Sequence, residues 1–438
     1  NEFLSNAYMI ASRPYSVDKF PELAYQRYGE SLFGDRFTWT QNYSANMMRL
    51  QVQSGTPSDL GISTLAFSQN TAFGANQNIR DTYDAAGYDD LMRARLYSRQ
   101  EIAMPLAIGP VKIVPFAHGQ VAAYVLNDFQ DYSEESEDIR TLLGAGSRFS
   151  TEFTSKYNSV RSSLLDLNRL HHVIQPTAML WYGWNSSSVL DTPVYDQDVE
   201  AVSGAAVAQI GVTNKLQTMR GGPGNWRSVD WAVLTMGAVV DNQNDSLQPT
   251  ETATDPFGLK YAQSPMPSFY SWRPEYSQWG DHLYASSKLQ VSDALALYGQ
   301  GVYLLQDRGN SVNSFGLNDL GRGTLGGSIQ QSPDVRFYLE YRYVNTFDPT
   351  GLYPADEFVQ GGVSYQISKK YSFTLSPQYD LVESNFRSAA VNLTRTFPDF
   401  YLSIGAAYNQ IVDETTFSMS IQIPGAGGGG TSFAPNSD

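Results

Sequence analysis

The sequence predicts an all-β fold: a large antiparallel transmembrane β-barrel of the outer-membrane type, with about 20 strands. Three observations predict it. Apolar and polar residues alternate with a period of two over many segments, the mark of strands with one apolar and one polar face. No apolar run approaches the ~18 residues of a membrane-spanning helix, so a chain that crosses lipid must do so as a closed barrel. Charged residues make up only 17% of the 438, with 28 Tyr and 36 Gly, whereas soluble domains carry about 25% charged residues.

The elements follow in chain order. Phe3–Ser12 and Leu23–Tyr28 are the least regular strand segments. Phe37–Val52, Leu91–Leu106, Val111–Leu126, Ile139–Phe153, Val173–Trp184, Val207–Met219 and Val229–Asp241 are strands. Later, Leu283, Ala285, Leu289 and Val291 alternate with Ser286, Lys288 and Gln290. Val335, Phe337, Leu339, Tyr341 and Tyr343 alternate with Arg336, Glu340 and Arg342. Val359–Ile367, Tyr371–Leu381, Val391–Phe397, Leu402–Tyr408 and Phe417–Ile423 keep the same period. Many of these runs exceed the roughly 5–6 residues usual in soluble sheets. No window sustains a helical period with caps.

The connectors fit a barrel. Short polar turns, such as Ser368-Lys369-Lys370, Glu383-Ser384-Asn385 and Asp413-Glu414, alternate with long polar stretches. The long ones are Thr56–Arg80, Ser186–Val202, Asp241–Gln263 and Asp307–Asp319. Outer-membrane barrels place short turns on one side and long loops on the other, with roughly 20 residues per strand and connector. That spacing implies an even strand number between roughly 16 and 26. The barrel is expected to span residues 1–424, with a flexible glycine-rich tail over 425–438. The chain starts at Asn1 with no signal-peptide pattern, which is the expectation for a mature or trimmed chain.

Composition excludes several functions. Zero Cys rules out disulfides, Cys-ligated metal and a Cys nucleophile. A net charge of −15 argues against nucleic acid. His171 and His172 are adjacent, so on a strand they face opposite sides and do not share a ligand site. The acidic run Asp131, Glu134, Glu135, Glu137 and Asp138 lacks the spacing of a calcium loop and reads as a solvated loop. Gly221-Gly222-Pro223-Gly224 is a turn, not a phosphate loop. No cofactor and no metal are expected, and no catalytic residue is assigned. An enzyme reading would rest on His118 or His282.

Several stretches taken together resemble a known family. They are Phe20–Tyr25 with Leu32–Trp39, Asn168–Pro176, Gly211–Thr218, Trp272–Tyr276 with Gly280–Leu283, and Ser332–Tyr343 with Leu393-Thr394-Arg395. Their order resembles the C-terminal barrel of the lipopolysaccharide-assembly (LptD, organic-solvent-tolerance) family. His172, Val173 and Pro176 match its R-H-V-x-x-P-like signature as structural residues, with His171 where Arg is usual. The family's periplasmic domain and cysteines are not visible in this sequence.

The resemblance implies an outer-membrane translocon in a Gram-negative-type bacterium. It would receive lipopolysaccharide or a related glycolipid from a periplasmic bridge protein and carry an outer-membrane lipoprotein plug. Glycolipid would leave through a lateral gate between first and last strands. Pro14 and Pro21 would weaken the first strand, because proline removes a ladder donor. Thr416, Phe417, Ser418, Met419, Ser420 and Ile421 would form the last strand. The alternative for the prolines is that they mark turns before the first strand. Arg336, Glu340 and Arg342 share a polar face and are read as lumen charge, facing lipid phosphate or pairing locally. The alternative function is a porin-type diffusion channel for small polar solutes.

Overall fold

The computed structural model describes residues 15–52, 54–56, 78–85, 87–126, 138–189, 191–222, 224–242, 264–270, 281–305, 319–344, 356–382, 384–410 and 414–422. Its 19 strands belong to one antiparallel sheet, and the fold class is the all-β membrane barrel that the alternation predicts. No described helix is long and apolar enough to cross a membrane.

By its contacts the chain divides into two compact units. Unit 1 comprises Asn1–Lys288, Gln300–Gly323 and Val344–Ala355; unit 2 comprises Leu289–Gly299, Thr324–Tyr343 and Asp356–Asp438. In unit 1 the strands run β1 (Tyr15–Leu32), β2 (Phe37–Val52), β3 (Arg93–Ala103), β4 (Leu106–Ile108), β5 (Val111–Val125), β6 (Ile139–Ser150), β7 (Phe153–Ser162), β8 (Leu167–Asn185), β9 (Ala206–Arg220) and β10 (Arg227–Asp241). Each pairs antiparallel with the next run of chain. Four more strands follow: β11 (His282–Gln290), β12 (Leu295–Leu304), β13 (Leu320–Ser332) and β14 (Val335–Val344). Unit 2 then holds a meander of β15 (Asp356–Ser368), β16 (Tyr371–Asp380), β17 (Asn385–Thr396), β18 (Tyr401–Asn409) and β19 (Glu414–Gln422).

Proline explains two strand breaks. β3 and β4 keep one register along β5, with Ala103 opposite Phe116 and then Leu106 opposite Ile113. The break falls at Met104-Pro105, opposite Val114-Pro115. β6 and β7 likewise share one register along β8, and the break falls opposite Pro176. A proline cannot donate to the ladder, so the pairing lapses there. The described residues hold 19 strands, not an even number, and counting each of these two split runs once leaves 17.

Other sequence expectations need correction. Leu23–Tyr28 lies well inside β1, an 18-residue strand. Val173–Trp184 is the second part of a 19-residue strand. A helix does occur, α1 (Ile79–Ala85), at seven residues too short to show a period. Its ends carry the local signals instead. Asn78 Oδ1 accepts the Arg80 amide at 3.0 Å as a cap. Gly87, at φ +81°, closes the C-terminus, with the Tyr88 amide donating to the Tyr83 carbonyl at 3.0 Å. Phe3–Ser12, the run Asp131–Glu137, most of Thr56–Arg80 and nearly all of Asp241–Gln263 and Asp307–Asp319 lie outside the described residues, as does the tail.

The two faces of the sheet follow the sequence period. In unit 1 the exposed face carries Leu96, Val121, Leu143, Leu180 and Ile210. In unit 2 it carries Leu339, 62% exposed, with Ile367, Leu393 and Ile404. In each unit, an exposed apolar face of this kind is what lipid covers.

Candidate functional site

The other face of unit 1 holds the most unusual chemistry of the described residues. On β3, Arg93, Arg95, Arg99 and Glu101 sit at odd positions and therefore share that face. Register places Arg95 opposite Tyr124 and Glu101 opposite His118 on β5. Arg140 and Arg148 join them from β6. Most of these side chains are buried, Arg148 being the exception. The connector between β8 and β9 folds back over them, and the sequence reading of Ser186–Val202 as a simple polar loop is corrected accordingly.

Glu200 is the connector's anchor. It is 0% exposed and Arg95 is 2% exposed. Arg95 Nη1 donates to Glu200 Oε1 at 2.7 Å, and the Tyr124 hydroxyl donates to the same oxygen at 2.6 Å. The other carboxylate oxygen takes the amides of Tyr195 (3.2 Å) and Asp196 (2.6 Å). Asp196 pairs in turn with Arg95 and Lys19. Burial opposes the Asp196 charge, but Arg95 and Lys19 outweigh it and hold its carboxyl below the usual carboxylate range. Burial pushes the Tyr195 phenol up to about 12, against the nearby Arg93 charge. Arg93 itself is paired with Asp89 at 2.5 Å.

Arg140 works differently. Its guanidinium donates to the carbonyls of Val199 (3.1 Å), Ser188 (2.9 Å) and Val202 (2.8 Å) and to Ser187 Oγ (3.2 Å). One planar fork with five donors thus gathers both arms of the connector. A second segment locks over the first. Ser264 bridges Val202, and Asp198 accepts the Ser268 amide and hydroxyl, each at 2.6 Å. Tyr270 donates to Glu101 at 2.9 Å, and Glu101 also accepts from Arg99 at 2.7 Å. Burial, then Glu101, raises the Tyr270 phenol well out of reach of titration. Phe116 stacks on Tyr270 at 4.9 Å, and Arg99 lies 3.6 Å from the Phe269 ring centre. Beneath them Met179, Trp181, Val207, Val239, Met266, Val302 and Leu304 form a buried apolar cluster.

Glycines make the close approach possible. A Cβ at Gly144 would lie 2.1 Å from His118, and one at Gly183 would lie 2.1 Å from Trp181. The His118 ring therefore lies against the neighbouring strand, and the Trp181 ring against its own strand two residues on. Trp181 donates to His118 Nε2 at 3.2 Å, which satisfies two buried ring nitrogens together.

Neither a protein-family model nor a curated protein sequence matches the chain. Solved structures do. One is described as showing asymmetric conductivity of engineered proteins, at 11% identity and a TM-score of 0.32. Two others are engineered mutants of the Rhodopseudomonas blastica porin, at 10% and 11% identity and TM-scores of 0.31 and 0.30. Each match covers 77% of this chain and 92% of the other. A likeness this distant carries no functional statement.

The residues singled out in the sequence are dispersed. Pro14 lies outside the described residues. Pro21 sits inside β1, at a register shift between Lys19 and Glu22, not in a turn before it. Thr416, Phe417, Ser418, Met419, Ser420 and Ile421 lie in β19, with Phe417 opposite Ala406 and Met419 opposite Ile404 of β18. His172, Val173 and Pro176 lie in β8, while His171 alone bonds Gln217, at 3.0 Å. In β14, Arg342 pairs with Glu340, whereas Arg336 donates to Ser328 at 3.1 Å. His118 and His282 are both buried, in different strands. Sequence reading missed the connector site altogether. One signal for it was available: four charged residues at alternate positions of β3 need counter-charges, and Asp196, Asp198 and Glu200 cluster in a long connector.

Proposed function

We propose that this protein is a porin-type solute channel of a bacterial outer membrane, narrowed over unit 1 by its own connectors. The observation that carries this reading is the buried Arg95–Glu200–Tyr124 lock, which holds a loop across the polar face of a sheet whose other face is apolar. A loop held in this way sets the bore of a passage. Rings and rows of charge beside it set which solutes pass. The test is single-channel recording in planar bilayers. A small steady conductance is expected, and removing residues 191–200 should raise it several-fold. Equal conductance with and without the loop would sink the reading. Fractionation of cell envelopes tests the address, with the protein expected alongside outer-membrane markers.

A second reading follows the sequence resemblance: insertion of lipopolysaccharide or a related glycolipid through a seam at β1 and β19, served by a lipoprotein plug and a periplasmic bridge. Pro21 at the register shift of β1 favours it, since a strand short of donors parts more easily. Against the plug stands the chain's own coverage of the unit 1 polar face. A photo-reactive residue at Leu23 and another at Phe417 decide between the readings. Glycolipid adducts at both support the translocon, and neither adduct nor mutual crosslink counts against it. Co-purification of a lipoprotein plug separates it further from a channel.

A further inference from the structure

The polar face of unit 2 differs from that of unit 1 in charge. Apart from Arg336, which donates to Ser328 at 3.1 Å, the charged side chains of β14, β16 and β17 on this face pair with one another near one end of the strands. Arg342 pairs with Glu340, and Arg387 lies 3.8 Å from Asp380. Along the rest of β16–β19 the face is uncharged. Thr374 lies opposite Asn392, Asn392 opposite Gly405, and Gly405 opposite Ser418. Hydroxyl and amide groups bond one another across the strands: Ser388 to Gln378 at 3.2 Å, and Thr394 with Ser403 at 2.8 Å. Most of these side chains are half-exposed, unlike the buried arginines of unit 1.

Aromatic rings stand on this wall: Tyr298 lies over Gly326, Phe358 lies against Arg342 and Arg387 near the charged end, and Tyr338 lies beside the uncharged stretch. Tyr338 of β14 lies over Gly362, where a Cβ would be 2.1 Å from the ring. Its hydroxyl donates to Ser376 at 3.0 Å and accepts from Gln360 at 3.4 Å. One ring face is therefore against the wall and the other is turned from it.

Serine, threonine, asparagine and glutamine each donate and accept, so they replace the hydration of a hydroxylated solute group for group. An ion gains little on such a face, because desolvating a charge needs an opposite charge to offset it. A flat aromatic face suits the C–H side of a sugar ring. We infer that the polar face of unit 2 is a track for neutral polyhydroxylated solutes, oligosaccharides in class, with Tyr338 as its platform. This rests on the channel reading above.

The test uses the full chain in planar bilayers with maltohexaose as probe. The sugar should block the ion current in a concentration-dependent way, and Tyr338→Ala should weaken the block about ten-fold. Thr374→Lys should shift the reversal potential in a KCl gradient toward anions, since it places charge on the track. Heat-modifiable migration on gels confirms that each variant is folded. A current that ignores both maltohexaose and Thr374→Lys overturns the track and leaves the channel standing. Block that is unchanged in Tyr338→Ala overturns the platform. Absence of any current, together with no swelling of sugar-loaded liposomes, overturns the channel reading and this inference with it.

Discussion

Single residues set the strength of the lock over unit 1. Glu200→Ala would remove the buried carboxylate oxygen to which both Arg95 Nη1 and the Tyr124 hydroxyl donate. Removing one partner of a buried pair costs about 3–5 kcal/mol, so a clear drop in the unfolding midpoint in detergent is expected. Asp196 predicts a pH response. Folding holds its carboxyl below the unfolded value, so its contribution is present above the unfolded pKa and is lost as pH falls through the folded one. Protease cutting of the β8–β9 connector should therefore rise only at pH below the ordinary carboxylate range. In Asp196→Asn the cutting should be raised already at neutral pH and should lose that acid step. Neither residue was singled out from sequence. An acid in a long connector looks solvated until the fold shows which arginine it meets.

Elements show where packing, not pattern, decides. Gly362→Ala drives a methyl into the Tyr338 ring, and Gly144→Ala drives one into His118. Overpacking of this kind costs about 1–3 kcal/mol, whereas Gly222→Ala meets open space and should leave the unfolding midpoint unchanged. The two faces of a strand should also differ. Leu339→Arg faces lipid and should cost about 2–4 kcal/mol at mid-membrane depth, while Ser376→Arg on the polar face should cost far less. Equal losses in unfolding titrations would mean that the faces are assigned wrongly. The strand segments themselves were legible because alternation survives in the letters: Phe37–Val52 is β2 and Val111–Leu126 is β5 within one residue. Strand breaks at Pro105 and Pro176 and the short helix Ile79–Ala85 were not, since each depends on what lies opposite or on a cap, not on a period.

At the scale of the whole chain, the exposed apolar face and the net charge of −15 act together. Charge keeps the unfolded chain dispersed, but it does not cover a lipid-facing surface. Folded protein should stay dispersed in detergent micelles and associate on detergent removal, as measured by sedimentation. A detergent-free, soluble monomer would end the membrane reading. The sequence by itself determined the all-β class, the period of the strands and the apolar row of strands such as β14, because those are properties of neighbours along the chain, although Tyr343 in that row is 1% exposed. Only the tertiary structure decided that Glu200 lies buried on Arg95 and Tyr124, that Arg140 gathers the connector by its carbonyls, and that Tyr338 lies flat on Gly362. Those contacts join residues 24 to 105 positions apart, and their energy comes from burial and pairing that no local pattern encodes.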